Sequence, residues 1–283
     1  MIRLCAFADE YDTKLDVQIA GLKANGIRLI EIRSVDGVNV ADLEEAAAQA
    51  CYEKLKAAGI AVWAIGSPLG KVDIAEDFES YKKKIHHVCR LANIFHTDKI
   101  RMFSFFHAYD APETVFIRLK EMVKIGREYG VSMYHENEKE IFGDTVERVL
   151  ELKQHVPGLK FVYDPANFVQ CKQDCRMAME QLLDITDYFH IKDVDAVTDD
   201  LVPAGYGSGE IPRMVAHIDK DTVLTLEPHL AVFDGYSAID NTQMKHKFCY
   251  DDNHQAFTAA VDALKALLMQ NSYVEINGNY IKE

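Results

Sequence analysis

Four apolar runs in the second half of the chain each end at a carboxylate or carry a histidine close to their end. They span residues 131–136, 160–164, 188–193 and 222–227. The second run stops at Asp164 and Pro165, which is typical of a buried strand because proline cannot continue a hydrogen-bonded ladder. If the four strands are parallel neighbours, their carboxyl ends lie together, and Glu136, Asp164, His190 and Glu227 meet in one small volume.

Three carboxylates so close together repel one another strongly unless a cation lies between them. Carboxylate oxygens and a neutral imidazole are ordinary ligands of divalent metal ions. The alternative for each carboxylate is a cap on the following helix, and for the histidine a ring packed in the core. Because the four residues fall at successive strand ends, we expect them to bind one divalent metal ion.

Strand-like runs alternate with helix-like segments along the chain. Eight strands are predicted to end near residues 7, 31, 65, 103, 136, 164, 190 and 227. Each strand with its helix therefore takes about 24–38 residues, the length of a right-handed βαβ crossover. Eight such units in 283 residues favour a closed (β/α)8 TIM barrel of class α/β. No Gly-x-Gly-x-x-Gly motif follows the first strand, as a dinucleotide-binding sheet would prefer.

We expect residues 1–270 to form a single TIM-barrel domain and residues 271–283 to form a C-terminal extension on its surface. The helix after the fifth strand is predicted to begin with Asp144 as its N-cap, because Glu147 follows three residues later.

The composition argues against several classes of partner. The formal net charge of -14 disfavours nucleic acid and an anionic membrane surface, which both need a basic face, and no apolar run has the length of a membrane span.

Six scattered cysteines without a secretory signal indicate a cytoplasmic, reduced protein. Cys171 and Cys175 have the spacing of metal ligands, but no second pair stands nearby to complete a structural zinc site.

Several short motifs at the strand ends resemble the xylose isomerase-like TIM-barrel superfamily of sugar (phosphate) isomerases and epimerases. They are Glu136-Asn137-Glu138, Asp164 with Asn167, His190-Ile191-Lys192-Asp193, Gly207-Ser208-Gly209-Glu210-Ile211-Pro212 and Glu227-Pro228. The resemblance implies that Glu136, Asp164, His190 and Glu227 bind one divalent ion, manganese, magnesium, cobalt or zinc. It also implies that Glu136 and Glu227 are the catalytic acid and base, as in the ketose epimerases. Many relatives carry histidine where this chain has Asn167, whose amide binds a hydroxyl but cannot shuttle a proton.

Four further residues are candidates for substrate binding: Asn167, Lys192, His107 and Arg33. Lys192 and Asp193 lie just beyond the seventh strand, where they contact substrate or pair with each other on the rim. The turn from Gly207 to Glu210 offers backbone N–H groups for hydroxyl or phosphate oxygens, or is a plain loop before a helix.

Two outcomes of the same chemistry stay open. One is a metal-dependent isomerase or epimerase that removes the proton α to the carbonyl of a sugar or sugar phosphate and passes through an enediolate. The other is a dehydratase or lyase on a keto-sugar or keto-inositol, similar to inosose dehydratase. An endonuclease IV-like phosphodiesterase and a non-catalytic sugar-binding barrel are more distant alternatives. The expected partner is a small sugar or polyol, and the sequence leaves open whether the chain forms a homo-oligomer.

Overall fold

The structure is a computed structural model that describes residues 1–232 and 248–283. Eight parallel strands form a closed barrel, which confirms the predicted fold class. The strands, β1 to β8, are Ile2–Ala6, Leu29–Ile32, Ala61–Gly66, Lys99–Met102, Ser132–Glu136, Lys160–Tyr163, Tyr188–Ile191 and Thr222–Leu226. Each strand pairs with the next along the chain, and β8 pairs with β1 from Ile2–Thr222 to Ala6–Leu226, which closes the ring.

Helices surround the barrel. In the described part of the chain α1 to α9 are Leu15–Ala24, Glu45–Ala57, Phe78–Ile94, Pro112–Glu128, Val146–His155, Pro165–Gln170, Cys175–Leu182, Ile211–His217 and Asn253–Gln270. In α4 the fully buried Val115, Leu119 and Met122 recur at helical spacing and form the face that packs on the barrel. Burial of each such Leu or Met side chain stabilises the fold by about 1.5–3 kcal/mol.

The start of the fifth helix differs from the prediction. Thr145, not Asp144, is the N-cap, and its side chain accepts a hydrogen bond from the N–H of Arg148. The Asp144 carboxylate instead accepts hydrogen bonds from Arg148 Nη1 at 2.7 Å and from the Tyr109 hydroxyl at 2.6 Å. The expected N-cap was one residue early because two adjacent residues both have capping side chains, and tertiary partners decide between them.

The barrel interior is filled in layers. One layer is apolar and contains Cys5, Val162, Tyr188 and Val223, all of them buried. The Tyr188 hydroxyl donates to Glu31 Oε1 at 3.0 Å, and Glu31 belongs to a polar layer beside it. The apolar layer therefore forms a packed base, on which the polar side chains near the carboxyl ends of the strands rest.

Residues after α9 form an antiparallel hairpin of two strands, β9 (Tyr273–Ile276) and β10 (Asn279–Lys282). β10 pairs with β1 at Ile2 and Arg3, an edge that stays available because β2 pairs with β1 only at Cys5 and Ala6. The turn residues Asn277 and Gly278 both have positive φ, which matches the twist of a tight hairpin. No helix in the described ranges is both long and apolar enough to span a membrane.

Candidate metal centre

The ends of β5 to β8 bring four side chains together. Glu136 is the last residue of β5, Asp164 follows β6, His190 lies within β7, and Glu227 follows β8. Each residue offers one ligand atom, and these atoms all lie within 4.8 Å of one another. All four residues are buried. The structure thus brings together the full ligand set that the sequence predicts.

Asp164 has two different environments for its two oxygens. Its Oδ1 caps α6 by accepting the N–H of Asn167 at 3.1 Å. Its Oδ2 lies 2.9 Å from Lys192 Nζ. The helix cap and a ligand role are therefore compatible, because each would use a different oxygen.

Two buried carboxylate oxygens of the four-residue cluster lack a well-formed hydrogen bond. Asp164 Oδ2 and Glu227 Oε2 are both shielded from solvent, and neither accepts a hydrogen bond of good geometry within the described ranges. Both keep ion-pair contacts, to Lys192 at 2.9 Å and to His190 at 3.1 Å. Buried carboxylate oxygens without hydrogen bonds are costly, and a cation between them would remove that cost. The donor set of three carboxylates and one imidazole therefore fits a divalent ion.

His190 is held from both sides of its ring. Nδ1 lies 2.9 Å from Glu136 Oε1 and 3.1 Å from Glu227 Oε2, and Nε2 lies 3.1 Å from Glu31 Oε2. Burial alone would lower the pKa of His190, but Glu136 and Glu31 raise it well above its usual value. Since both ring nitrogens face groups that only accept hydrogen bonds, the ring in this arrangement carries two protons, and a metal ion at Nδ1 would displace one of them.

Burial raises the pKa of each carboxylate, but their partners differ, so that the net pKa shifts of Glu136 and Asp164 go in opposite directions. Burial raises the pKa of Glu136, but His190 and Arg101 outweigh it and lower that pKa to about 2. For Asp164 burial is the dominant effect and raises the pKa to about 7, although Lys192 opposes it. Glu136 is therefore an anion near neutral pH, whereas the raised pKa of Asp164 means that a further cation would favour its ionised form.

Two buried charges in the barrel interior complete the polar layer, and the sequence reasoning missed both. Glu31 in β2 is fully buried, and Arg101 in β4 is 4% exposed. Arg101 Nε lies 3.2 Å from Glu136 Oε2 and 3.8 Å from Glu31 Oε1. Each stands between two apolar residues within its strand, Ile30 and Ile32 or Ile100 and Met102. A charge between apolar neighbours in a strand is the signal that could have found them.

Arg33 binds Oε1 of Glu227, the carboxylate oxygen that does not face His190. Its guanidinium lies 2.9 Å from Glu227 Oε1, 2.8 Å from Asp9 Oδ2 and 3.3 Å from Glu10 Oε1. His229 lies beside it, 3.2 Å from the same Glu227 oxygen and 3.2 Å from Glu10. Three of these residues were not predicted as site residues, because Asp9 and Glu10 lie in the short 3-10 helix Ala8–Glu10 after β1, and His229 lies in the loop after β8. Together they fix Glu227 so that its other oxygen faces His190.

A cavity of about 270 Å³ opens over the cluster. Its walls come from the loops after several strands, and Phe103 is the aromatic residue among them. The lining residues are Arg33, Asn39, Gly66, Pro68, Lys71, Arg101, Phe103, Glu136, Glu138, Lys192, Glu227 and His229.

A larger cavity of about 500 Å³ lies at the other end of the barrel. Gly26 and Gly59, which precede β2 and β3, line it together with Glu275 and Gly278 of the C-terminal hairpin. None of the four ligand residues lines it. The smaller cavity is therefore the one that belongs to the candidate metal centre.

The candidate substrate-binding residues fall in different places. Arg33 and Lys192 line the cavity. Asn167 is buried beneath it, and its Nδ2 donates to Asn137 O at 2.9 Å and to Glu136 Oε1 at 3.4 Å. His107 does not line the cavity, because its side chain is 81% exposed and bonds Asp73 Oδ2 at 2.6 Å.

The backbone N–H groups of the glycine-rich turn already have an acceptor. Gly207 donates to Asp193 Oδ2 at 3.0 Å and Gly209 to Asp193 Oδ1 at 2.9 Å. Gly205 and Val194 donate to the same carboxylate. The turn and Asp193 thus serve the loop that follows Lys192, and these N–H groups do not face the cavity as free donors.

Together the fold and the site define a TIM barrel with three buried carboxylates and a histidine at the carboxyl ends of its strands. The model of the family described as xylose isomerase-like TIM barrel matches residues 19–264. The chain belongs to this family. No curated protein sequence matches it at a significant level.

Solved structures with the same fold are distant in sequence. The structure of an L-ribulose 3-epimerase has 15% identity and a TM-score of 0.70, and the match covers 96% of each chain. A D-tagatose 3-epimerase-like protein has 13% identity and a TM-score of 0.71 over 95% of this chain and 98% of its own. The probable 3-DHS dehydratase AsbF from Bacillus anthracis has 19% identity and a TM-score of 0.68, over 94% of this chain and 99% of its own. At these identities the likeness shows the fold.

Proposed function

We propose that the protein is a divalent-metal-dependent isomerase or epimerase of a sugar or sugar phosphate, which removes the proton α to the carbonyl. One observation carries the proposal: ligand atoms from Glu136, Asp164, His190 and Glu227 lie within 4.8 Å of one another at the mouth of the barrel. Family membership and the 3-epimerases among the similar folds support it.

Glu136 and Glu227 are the catalytic acid and base in this proposal. They extend from β5 and β8, which two other strands separate, so that they approach the cavity from different sides. One glutamate takes the proton from carbon and the other returns it. Glu136, Asp164, His190 and Glu227 would hold a manganese, magnesium, cobalt or zinc ion, which would supply positive charge beside the substrate oxygens on which negative charge develops.

The other residues hold these two in place. Asp164 and His190 are ligands only. Asn167 donates to Glu136 and orients it, while Arg33 does the same for Glu227. Lys192 lines the cavity and is available to a substrate oxygen. Six free cysteines favour a reduced, cytoplasmic location, which we include in the proposal.

Lys192 supports a dehydratase or lyase as the second candidate. Its side chain is 8% exposed, lies 2.9 Å from Asp164 Oδ2 and lines the same cavity. A buried ammonium group carries a proton that a departing hydroxyl group needs when an enolate expels its β-substituent. The similar fold of the probable 3-DHS dehydratase is consistent with this second outcome.

Proton exchange with solvent separates the candidates. The protein is stripped of metal, reloaded with Mn²⁺, Mg²⁺, Co²⁺ or Zn²⁺, and incubated in D2O with ketoses, ketose phosphates and keto acids. An isomerase or epimerase incorporates one deuterium at the carbon next to the carbonyl, which NMR detects. A lyase releases the β-substituent and gives an alkene conjugated with the carbonyl, which absorbs in the ultraviolet. The proposal is wrong if the metal-loaded protein gives neither product with any compound and is therefore indistinguishable from the Glu227→Gln variant.

A further inference from the structure

The cavity over the ligand cluster has a basic lining in an otherwise acidic protein. Four fixed cations line it, and the three carboxylates among its lining residues are Glu136, Glu138 and Glu227. Two of those three are proposed metal ligands, and a divalent ion would neutralise two of the three negative charges that they and Asp164 bring to the ligand cluster. The cations are Arg33, Lys71, Arg101 and Lys192.

Both arginines are held by groups of the protein itself. Arg33 spans Asp9, Glu10 and Glu227 with three contacts of 2.8–3.3 Å. Arg101 donates to Ser67 O at 3.0 Å and pairs with Glu136 at 3.2 Å. Their charge is therefore used in building the polar layer and in holding the two glutamates.

Lys71 differs from the arginines. Within the described ranges its ammonium group pairs with one carboxylate, Glu138 Oε2 at 2.8 Å, although it has three N–H donors. Its side chain is 35% exposed, so that it stands at the open edge of the cavity, whereas the side chain of Glu136 is 3% exposed.

The backbone next to Lys71 is fixed. Gly70 has φ of 86° and donates its N–H to the Tyr81 hydroxyl at 2.8 Å. A Cβ atom at Gly70 would lie 2.1 Å from Phe103 O, so this close approach needs glycine. Lys71 Nζ lies 4.3 Å from the centre of the Phe103 ring, and the Arg101 guanidinium lies 4.6 Å from it. A lysine on a fixed loop and over an aromatic ring is well placed to bind a ligand group.

We propose that the substrate carries an anionic oxyacid group, a carboxylate or a phosphate, and that Lys71 at the mouth of the cavity selects for it. The inference rests on the proposed function, because it names the class of substrate for the same site. The ligand anion shares the ammonium group of Lys71 with Glu138, which competes for it. A carboxylate fits better than a phosphate because it adds one negative charge, not two, beside Glu138. The 270 Å³ cavity suits a small acid sugar.

Three probes that differ at one carbon test the charge alone. D-Fructose, D-fructuronate and D-fructose 6-phosphate share their ketone end and differ at carbon 6. Their binding to the Mn²⁺-loaded protein is measured by calorimetry at low and high salt. The quantity of interest is the affinity for each anion divided by the affinity for D-fructose, because hydroxyl contacts cancel in this ratio.

Three variants have different expected effects on that ratio. Lys71→Gln removes the ammonium group and should lower the ratio about fivefold, the effect of one partly exposed ion pair. Glu138→Gln removes the competing carboxylate and should raise it. Lys139→Gln is the matched control, since Lys139 is exposed, bonds Gln170 at 3.2 Å and does not line the cavity.

The outcomes separate this inference from the proposed function. The inference is supported if D-fructuronate or D-fructose 6-phosphate binds more tightly than D-fructose and if, of the two lysine variants, only Lys71→Gln loses this preference. The anion that binds more tightly identifies the group. Equal affinities, or a ratio that Lys71→Gln leaves unchanged, overturn it. If deuterium exchange fails but the ratio responds as expected, only the proposed chemistry is wrong. If exchange succeeds while the ratio stays at one, only this inference is wrong.

Discussion

Glu31 and His190 lie on β2 and β7, and their side chains meet inside the barrel with Glu31 Oε2 3.1 Å from His190 Nε2. The opposite ring nitrogen faces Glu136 and Glu227. A carboxylate that accepts a hydrogen bond from one ring N–H of a histidine leaves the other nitrogen as a metal ligand and fixes the orientation of the ring. Glu31 is therefore a positioning residue for the proposed metal centre.

Glu31→Gln should weaken metal binding about 10–100-fold, because the amide is a poorer acceptor for the imidazole N–H. Affinity is measured by competition with a chromophoric chelator. Tyr188→Phe is the matched control, since it removes the hydroxyl that donates to Glu31 Oε1 at 3.0 Å and leaves the contact with His190. Equal losses in the two variants would show that the polar layer acts only through stability.

The two glutamates should respond differently from Asp164 when metal is added in excess. Glu136→Gln and Glu227→Gln keep an oxygen ligand but lose the base, so turnover should fall about 10²–10⁴-fold even at saturating metal. Asp164→Asn should act mainly through metal affinity, and excess metal should restore much of the activity. The measurement is kcat against metal concentration. Equal rescue of all three variants would make the glutamates ligands only.

Asp193 should matter for stability. Its carboxylate accepts four backbone N–H groups at 2.9–3.0 Å, from Val194, Gly205, Gly207 and Gly209. Asp193→Asn replaces one oxygen by an amide nitrogen that donates, which leaves buried N–H groups unpaired and should cost about 1–3 kcal/mol in urea unfolding.

Asp195→Asn is the control for that variant. Both N–H groups that bind Asp195, of Val197 and Thr198, go to the same oxygen, which an asparagine retains. Its free energy of unfolding should stay within about 0.5 kcal/mol of the parent. A loss in Asp195→Asn as large as in Asp193→Asn would contradict this account of the loop.

His135 should make the fold less stable in mild acid. Burial lowers its pKa to about 3, although Glu136 opposes this, and Nε2 lies 2.9 Å from Ser104 Oγ. An unfolded histidine has a pKa near 6.5, so below that pH the unfolded state binds a proton that the folded state refuses. Stability from this residue is therefore lost as pH falls from about 6.5 towards 3.

His135→Gln tests this directly. Between pH 7 and pH 5.5 the parent should lose about 1 kcal/mol more unfolding free energy than the variant, as measured by urea titration. His107→Gln, which changes an exposed histidine, should follow the parent. A parallel pH dependence of the parent and His135→Gln would exclude the proposed role of burial.

The barrel and the convergence of the four proposed ligand residues could be predicted because both depend on local pattern. Glu136, Asp164 and Glu227 each end an apolar run, and parallel strands bring such ends to one mouth. Glu31 and Arg101 depend on which face of a strand points inward, and their partners are far away in the chain, His190 and Glu136 among them. The N-cap of the fifth helix depended on the hydrogen bonds that Asp144 makes with Tyr109, which is far away in the chain, and with Arg148 of the same helix.

The glycine-rich turn shows the limit of motif reasoning. The sequence between Gly207 and Glu210 allows free N–H donors or a plain loop, and only the folded chain shows that Asp193 binds these groups. His107 is similar, because proximity to a strand end does not fix the direction in which a loop side chain points.

The position of a bound ion tests the central claim most directly. Crystals grown with Mn²⁺ are measured at a wavelength where manganese scatters anomalously. The account predicts one strong peak within about 2.0–2.6 Å of oxygen or nitrogen atoms from Glu136, Asp164, His190 and Glu227. A peak held by Glu10 and His229 instead, or no peak at millimolar Mn²⁺, would contradict it.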